Sequence, residues 1–181
     1  MKLWRALSSA LRGWYGIVMG RQDWRDHFSL TWSGLATALV IYFFTAFLVM
    51  AYGAIQTGMP GAVGVMVNLS VQGLFLLGLT ISVVLTRMVL KSEARIRDFL
   101  VPGFYALSFF LLVGSLMASV DASIGTPFAL VALAILLFRL ARMAGDWTIG
   151  VSLAFAVFTP ALLVGMPITL YMLTNPAGSP I

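Results

Sequence analysis

The sequence predicts an all-α, polytopic membrane protein with five transmembrane helices preceded by an amphipathic interfacial helix. Three observations carry that expectation. First, 61% of the 181 residues are hydrophobic and 9% are charged, with a mean hydropathy of +1.01. A water-soluble domain carries roughly a quarter of its residues charged. Second, apolar stretches of about 20 residues, the length that crosses hydrocarbon as helix, recur along the chain. Third, the eleven Lys and Arg residues occupy only three places. Lys2, Arg5, Arg12, Arg21 and Arg25 precede the first long apolar run; Arg87, Lys91, Arg95 and Arg97 separate the second from the third; Arg139 and Arg142 separate the fourth from the fifth. Short loops rich in Lys and Arg stay cytoplasmic, so this alternation predicts an inside N-terminus, five crossings and an outside C-terminus.

Residues 1–20 read as a helix lying on the cytoplasmic surface. Leu3, Leu7, Leu11, Trp14 and Val18 recur at steps of three and four and form an apolar stripe, with Lys2, Arg5, Ser9, Arg12 and Gly16 opposite. Trp4, Trp14 and Tyr15 suit the headgroup level, where an amphipathic ring keeps one edge wet. Trp4, Arg5, Arg12 and Trp14 are therefore the candidate contacts to the membrane surface, including anionic headgroups, or to a partner docked there.

Residues 21–174 form the transmembrane domain, with spans at about 29–55, 62–90, 99–120, 122–140 and 147–174. The first run is too long for the apolar core of a cleaved secretory signal, about 7–15 residues, and is expected to be a retained span. Gly58–Met59–Pro60–Gly61 supplies the turn after it. Pro102 is expected in the first turn of the third span, where a missing N–H costs nothing. The fourth span is the shortest, because Pro127 interrupts the uncharged stretch from Ala122 to Phe138. Re-entry would strand Arg139 and Arg142 outside, so charge bias favours a true crossing. In the fifth span Pro160 and Pro167 each remove a backbone donor, predicting a kinked or partly unwound helix. Residues 175–181 read as a short outside tail. Three spans also open with a basic residue, an acid and an aromatic: Arg25–Asp26–His27–Phe28, Arg97–Asp98–Phe99, and Arg142 to Asp146–Trp147. The expectation is an Asp N-cap followed by an interfacial aromatic.

The same residues exclude much chemistry. The chain has no Cys, which removes disulfides, thiol catalysis and thiolate metal sites. The net charge of +5 is dispersed over membrane-flanking loops, where orientation and anionic lipid account for it and nucleic acid does not. No Asp, Glu, Lys, Arg or His stands in the hydrocarbon core of any span, where such groups mark proton relays, ion paths and catalytic centres. The single His27 lies at a boundary, and no phosphate-cradling glycine motif occurs. No catalytic residue, metal ligand or cofactor site is predicted. The best polar constellation is Gly64, Asn68 and Gln72, which recur at four-residue steps on one face of the second span. Amides in hydrocarbon need partners, and two readings stand: hydrogen bonding between helices, or a polar path for a substrate completed by Thr159 and Thr169 around Pro160, Gly165 and Pro167.

The five spans, the proline-bearing last helix and the segment Lys91–Leu107 (KSEARIRDFLVPGFYAL) together resemble bacterial Yip1-domain membrane proteins. The segment is similar to that family's cytoplasmic loop and third-helix start, and the short fourth helix with Arg139 and Arg142 resembles its later part. The resemblance covers residues 29–174. The Asp-Leu-x-Gly-Pro motif that precedes the first span in eukaryotic members is not present at Asp26–Gly34, so no GTPase-linked trafficking role is implied. What the resemblance implies is a non-enzymatic scaffold or accessory subunit in a bacterial inner (cytoplasmic) membrane, partnered by other membrane subunits or by itself. A small transporter or channel is the alternative, using the second and fifth spans.

Overall fold

The computed structural model describes residues 2–174, the side chains of 2, 3, 57, 122 and 174 excepted. The expected outside tail, residues 175–181, and the Lys2 and Leu3 side chains of the amphipathic stripe lie outside the described residues. The described chain is α-helical: α1 (Lys2–Met19), a 3-10 turn (Gln22–His27), α2 (Trp32–Thr57), α3 (Ala62–Leu90), α4 (Ile96–Val120), α5 (Ala122–Gly145) and α6 (Ile149–Thr174). The last five are long and apolar enough to cross a membrane, as expected of a multi-pass protein. The fourth crossing is longer than the expected 122–140. Its 23 helical residues, Ser123–Gly145, extend about 35 Å at 1.5 Å per residue, against a hydrocarbon thickness of about 30 Å.

Helix α4 is the central post. Of its most apolar stretch 61% is buried, against 28–33% for the other four spans. An unbroken run from Asp98 to Ser108 is covered on every side, because α2, α3 and α5 all pack on α4 and α1 lies across its end. Helix α6 packs on α3 and α5, completing the bundle. The helix α4 begins at Ile96, so Pro102 sits in its second turn and not the first as expected. Helix α2 ends at Gly58, whose φ of +91° is open to glycine and strained for other residues. Asp121 starts α5, accepting hydrogen bonds from the Ser123 amide (2.9 Å) and hydroxyl (2.6 Å). Those two donors, the hydroxyl first, hold its carboxyl below the ordinary carboxylate value.

The three basic clusters, far apart in sequence, meet at one end of the bundle. Arg25 Nε lies 3.6 Å from Asp98 Oδ2, tying the 3-10 turn to the start of α4. The Arg97 guanidinium lies 5.4 Å over the Trp32 ring at the start of α2. Trp147, between α5 and α6, stacks on Phe99 at 4.7 Å, and its Nε1 donates to Ser92 Oγ at 3.4 Å in the α3–α4 connection.

Four expectations need correction. The repeated acids do not cap helices as expected. Thr31 caps α2, accepting from the Gly34 amide at 3.1 Å; Asp98 lies inside the first turn of α4; Asp146 closes α5 in a left-handed conformation with φ of +51°. The aromatics that follow them do not lie open to lipid headgroups: Phe28, Phe99 and Trp147 are all buried, because the connections fold over the basic end and bring these rings into the core. Of the kinked or partly unwound helix expected for α6, the unwound form is absent: α6 is one continuous helix through Pro160 and Pro167. Finally, α1 uses a different face from the stripe. Ala10, Gly13, Trp14 and Ile17 pack inward, while Leu11 is exposed. Gly13 and Gly16 let the 3-10 turn approach: a Cβ at Gly13 would stand 2.3 Å from the Phe28 ring, and one at Gly16 would stand 3.2 Å from Trp24 Cβ. Gly16 therefore belongs to the packed face and not to the polar one.

Candidate functional site

Lipid tails are as apolar as leucine, so burying hydrocarbon does little to join helices within a membrane, and the polar side chains decide which faces meet. Among the described residues two such contacts are buried, and a third, from the Tyr52 hydroxyl to Ser119 Oγ at 3.3 Å, joins α2 to α4 on the exposed side. Tyr42 of α2 is fully buried, and its hydroxyl donates to Gln72 Oε1 at 2.8 Å, with the Gln72 backbone carbonyl at 3.1 Å. Ten residues further along α3, about 15 Å at helical rise, Ser82 Oγ lies 2.6 Å from Thr159 Oγ1 of α6. The Thr159 hydroxyl donates to the Phe155 carbonyl of its own helix at 2.9 Å, so its hydrogen is committed and Ser82 is the donor in the pair. Both members of this second pair are wholly buried. Gly78, one turn before Ser82, faces α6 in the same interface: a Cβ there would stand in van der Waals contact with Leu163 Cδ2 at 3.4 Å.

The four residues of the predicted polar face are thus not brought together. Gln72 and Thr159 are buried in two different helix–helix interfaces. Asn68 is exposed on α3 and makes no hydrogen bond among the described residues. Thr169 is exposed on α6, and its hydroxyl donates to Gly165 O of the same helix at 2.8 Å. Sequence reasoning missed Tyr42 and Ser82, the partners that satisfy the buried pair. Their signal was available: each is a hydroxyl inside an apolar span, where an unpaired polar group is costly.

The segment of α3 around Asn68 is the least covered of any span. From Gly61 to Ser70 every residue is exposed except the half-buried Val65, and Val63 and Met66 reach 75% and 70% exposure. On α1, Trp4, Arg5 and Arg12 are exposed as expected of surface contacts. Trp14 is not; it is 9% exposed and packs into the core. Leu7 and Leu11 of the predicted stripe, with Trp4, face Val40 and Phe44 of α2 and Phe109 of α4 across an apolar groove of about 520 Å³. The hydroxyl of Ser9 donates to the His27 carbonyl at 2.7 Å, fastening α1 to the 3-10 turn.

Among the described residues no three His, Cys, Asp or Glu side chains stand close enough to hold a metal ion. Comparison with protein-family models, with curated proteins and with solved structures finds no match to this chain.

Proposed function

We propose that this multi-pass protein is a non-enzymatic scaffold or accessory subunit of a larger assembly in a bacterial inner membrane. The observation that carries the reading is Asn68. Its carboxamide, in the second turn of α3, stands on an uncovered helix face with no hydrogen-bond partner among the described residues, and an unsatisfied polar group inside a membrane is costly. A helix of another membrane subunit, or of a second copy, supplies the missing hydrogen bond, as polar side chains do between membrane helices. The Yip1-like features of the sequence support the same reading. The transport alternative asks Asn68, Gln72, Thr159 and Thr169 to line one path. Their separation into two interhelical contacts and two outward positions lends it no support.

The test is Asn68→Leu in the full chain, purified in gentle detergent with its co-purifying proteins identified by mass spectrometry. The expected result is loss of the co-purifying subunit, or of self-association, with an unchanged helical circular-dichroism signal. Retention of the same partners by the variant would refute the scaffold reading, and solute flux in reconstituted vesicles that disappears with Asn68→Leu would replace it with transport.

A further inference from the structure

The basic end of the bundle contains a cleft of about 660 Å³ between the 3-10 turn and the α5–α6 junction, within the range of small-molecule sites. Three arginines from two separate parts of the chain line it: Arg25 from the turn, and Arg139 and Arg142 from the last two turns of α5. They are not equivalent. Arg25 is half-exposed, engages Asp98 and lies 5.0 Å over the Trp24 ring. Arg142 is half-buried and donates from Nη1 to the Trp147 carbonyl, which fixes its direction. Arg139 is exposed and has no hydrogen bond or ion pair among the described residues. The one acid lining the cleft, Asp146, is exposed and forms no ion pair with any of the three within 4.0 Å among the described residues. The cleft therefore holds more positive charge than the protein itself neutralises.

Its other wall is apolar. Phe138 and Ile149 line the same space, and Ile149 is 66% exposed, at the start of a membrane-spanning helix. A cationic floor beside an exposed apolar wall, where two spans leave the hydrocarbon, matches a phosphodiester with an attached acyl chain better than a free anion. We infer that the Arg25–Arg139–Arg142 cleft is a binding site for the headgroup phosphate of an anionic phospholipid. Basic pockets between transmembrane helices take such headgroups, and guanidinium groups present paired donors to phosphate oxygens. Arg139 supplies the free donors, while Arg142 and Arg25 are held in place by Trp147 and by Asp98. The site is distinct from α1, whose Arg5 and Arg12 lie on the exposed surface, and it does not depend on the scaffold reading.

The experiment is native mass spectrometry of the full-length, delipidated protein titrated with dioleoyl-phosphatidylglycerol, dioleoyl-phosphatidylcholine or inorganic phosphate. We expect one phosphatidylglycerol to bind at least fivefold more tightly than phosphatidylcholine. Arg139→Gln is expected to weaken it about fivefold, the usual worth of one arginine at an anionic surface. Arg139→Lys should fall between the two, because charge persists while the planar fork is lost. Arg12→Gln should leave the affinity unchanged. Equal affinity for the two lipids in the wild-type protein overturns the inference without recourse to any variant. So does an Arg139→Gln affinity equal to wild type, or an equal loss with Arg12→Gln. Displacement of phosphatidylglycerol by millimolar phosphate overturns the lipid assignment in favour of a free anion.

Discussion

Removing the Tyr42 hydroxyl tests whether the buried polar pairs hold this bundle together. In Tyr42→Phe the ring keeps its packing, but Gln72 Oε1, in a side chain 6% exposed, loses its 2.8 Å donor. Hydrogen bonds between membrane helices contribute about 0.6–2 kcal/mol. A buried acceptor left without a partner costs about 1–3 kcal/mol. The two ranges overlap at about 1–2 kcal/mol, which is the expected destabilisation. Gln72→Met alone removes the side-chain acceptor and leaves the hydroxyl only the residue-72 backbone carbonyl at 3.1 Å, at smaller cost. The double variant Tyr42→Phe/Gln72→Met leaves neither group stranded, so its loss should fall short of the sum by about 1 kcal/mol. Unfolding in mixed micelles titrated with denaturing detergent, followed by circular dichroism, measures all four members of the cycle. Additive losses, with no coupling, would refute the claim that this hydrogen bond joins α2 to α3.

Three further outcomes follow from the same structure. Reporter fusions after Gln56, Glu93, Asp121, Gly145 and Ile181 should read outside, inside, outside, inside and outside; a C-terminus reporting from the cytoplasm would end the five-span topology. Gly13→Leu should displace the 3-10 turn from α1, because a Cβ there already meets the Phe28 ring at 2.3 Å. Its loss of thermal stability, by about 1–3 kcal/mol as for an overpacked core site, should be matched by deletion of residues 2–18 without loss of membrane insertion. The Asp121 carboxyl has its pKa lowered in the folded protein by the Ser123 donors, so its contribution to stability is present above the ordinary value of 3.8 and is lost as pH falls through the folded value. Thermal denaturation at pH 3 and pH 7 should therefore show a smaller acid-induced loss for Asp121→Asn than for the wild type.

Class, span number and expected orientation were legible in the sequence because they depend on quantities a linear chain displays: run length, hydropathy and the placement of eleven basic residues. Which face of each helix meets another was not. In water a helix shows its buried side by contrast with a polar side, but in lipid both sides are apolar and the contrast disappears. The spacing Gln72–Leu76–Leu79–Val83 is the buried stripe of α3, yet Val67, Leu69 and Leu77 on its uncovered faces are just as apolar. The same limit separates Asn68 from Gln72, which share a four-residue step but diverge because α2 lies beside one and not the other. On α1, where polar contrast does exist, periodicity located the helix but not its docked face. Gly13 and Gly16 carry no hydrophobicity to mark them, and only the approach of Trp24 and Phe28 shows that the missing side chains are what the contact requires. The arginine cleft is a tertiary product in the same sense: Arg25 and Arg139 stand more than a hundred residues apart, and only the folding of the connections over one end of the bundle places them around a common space.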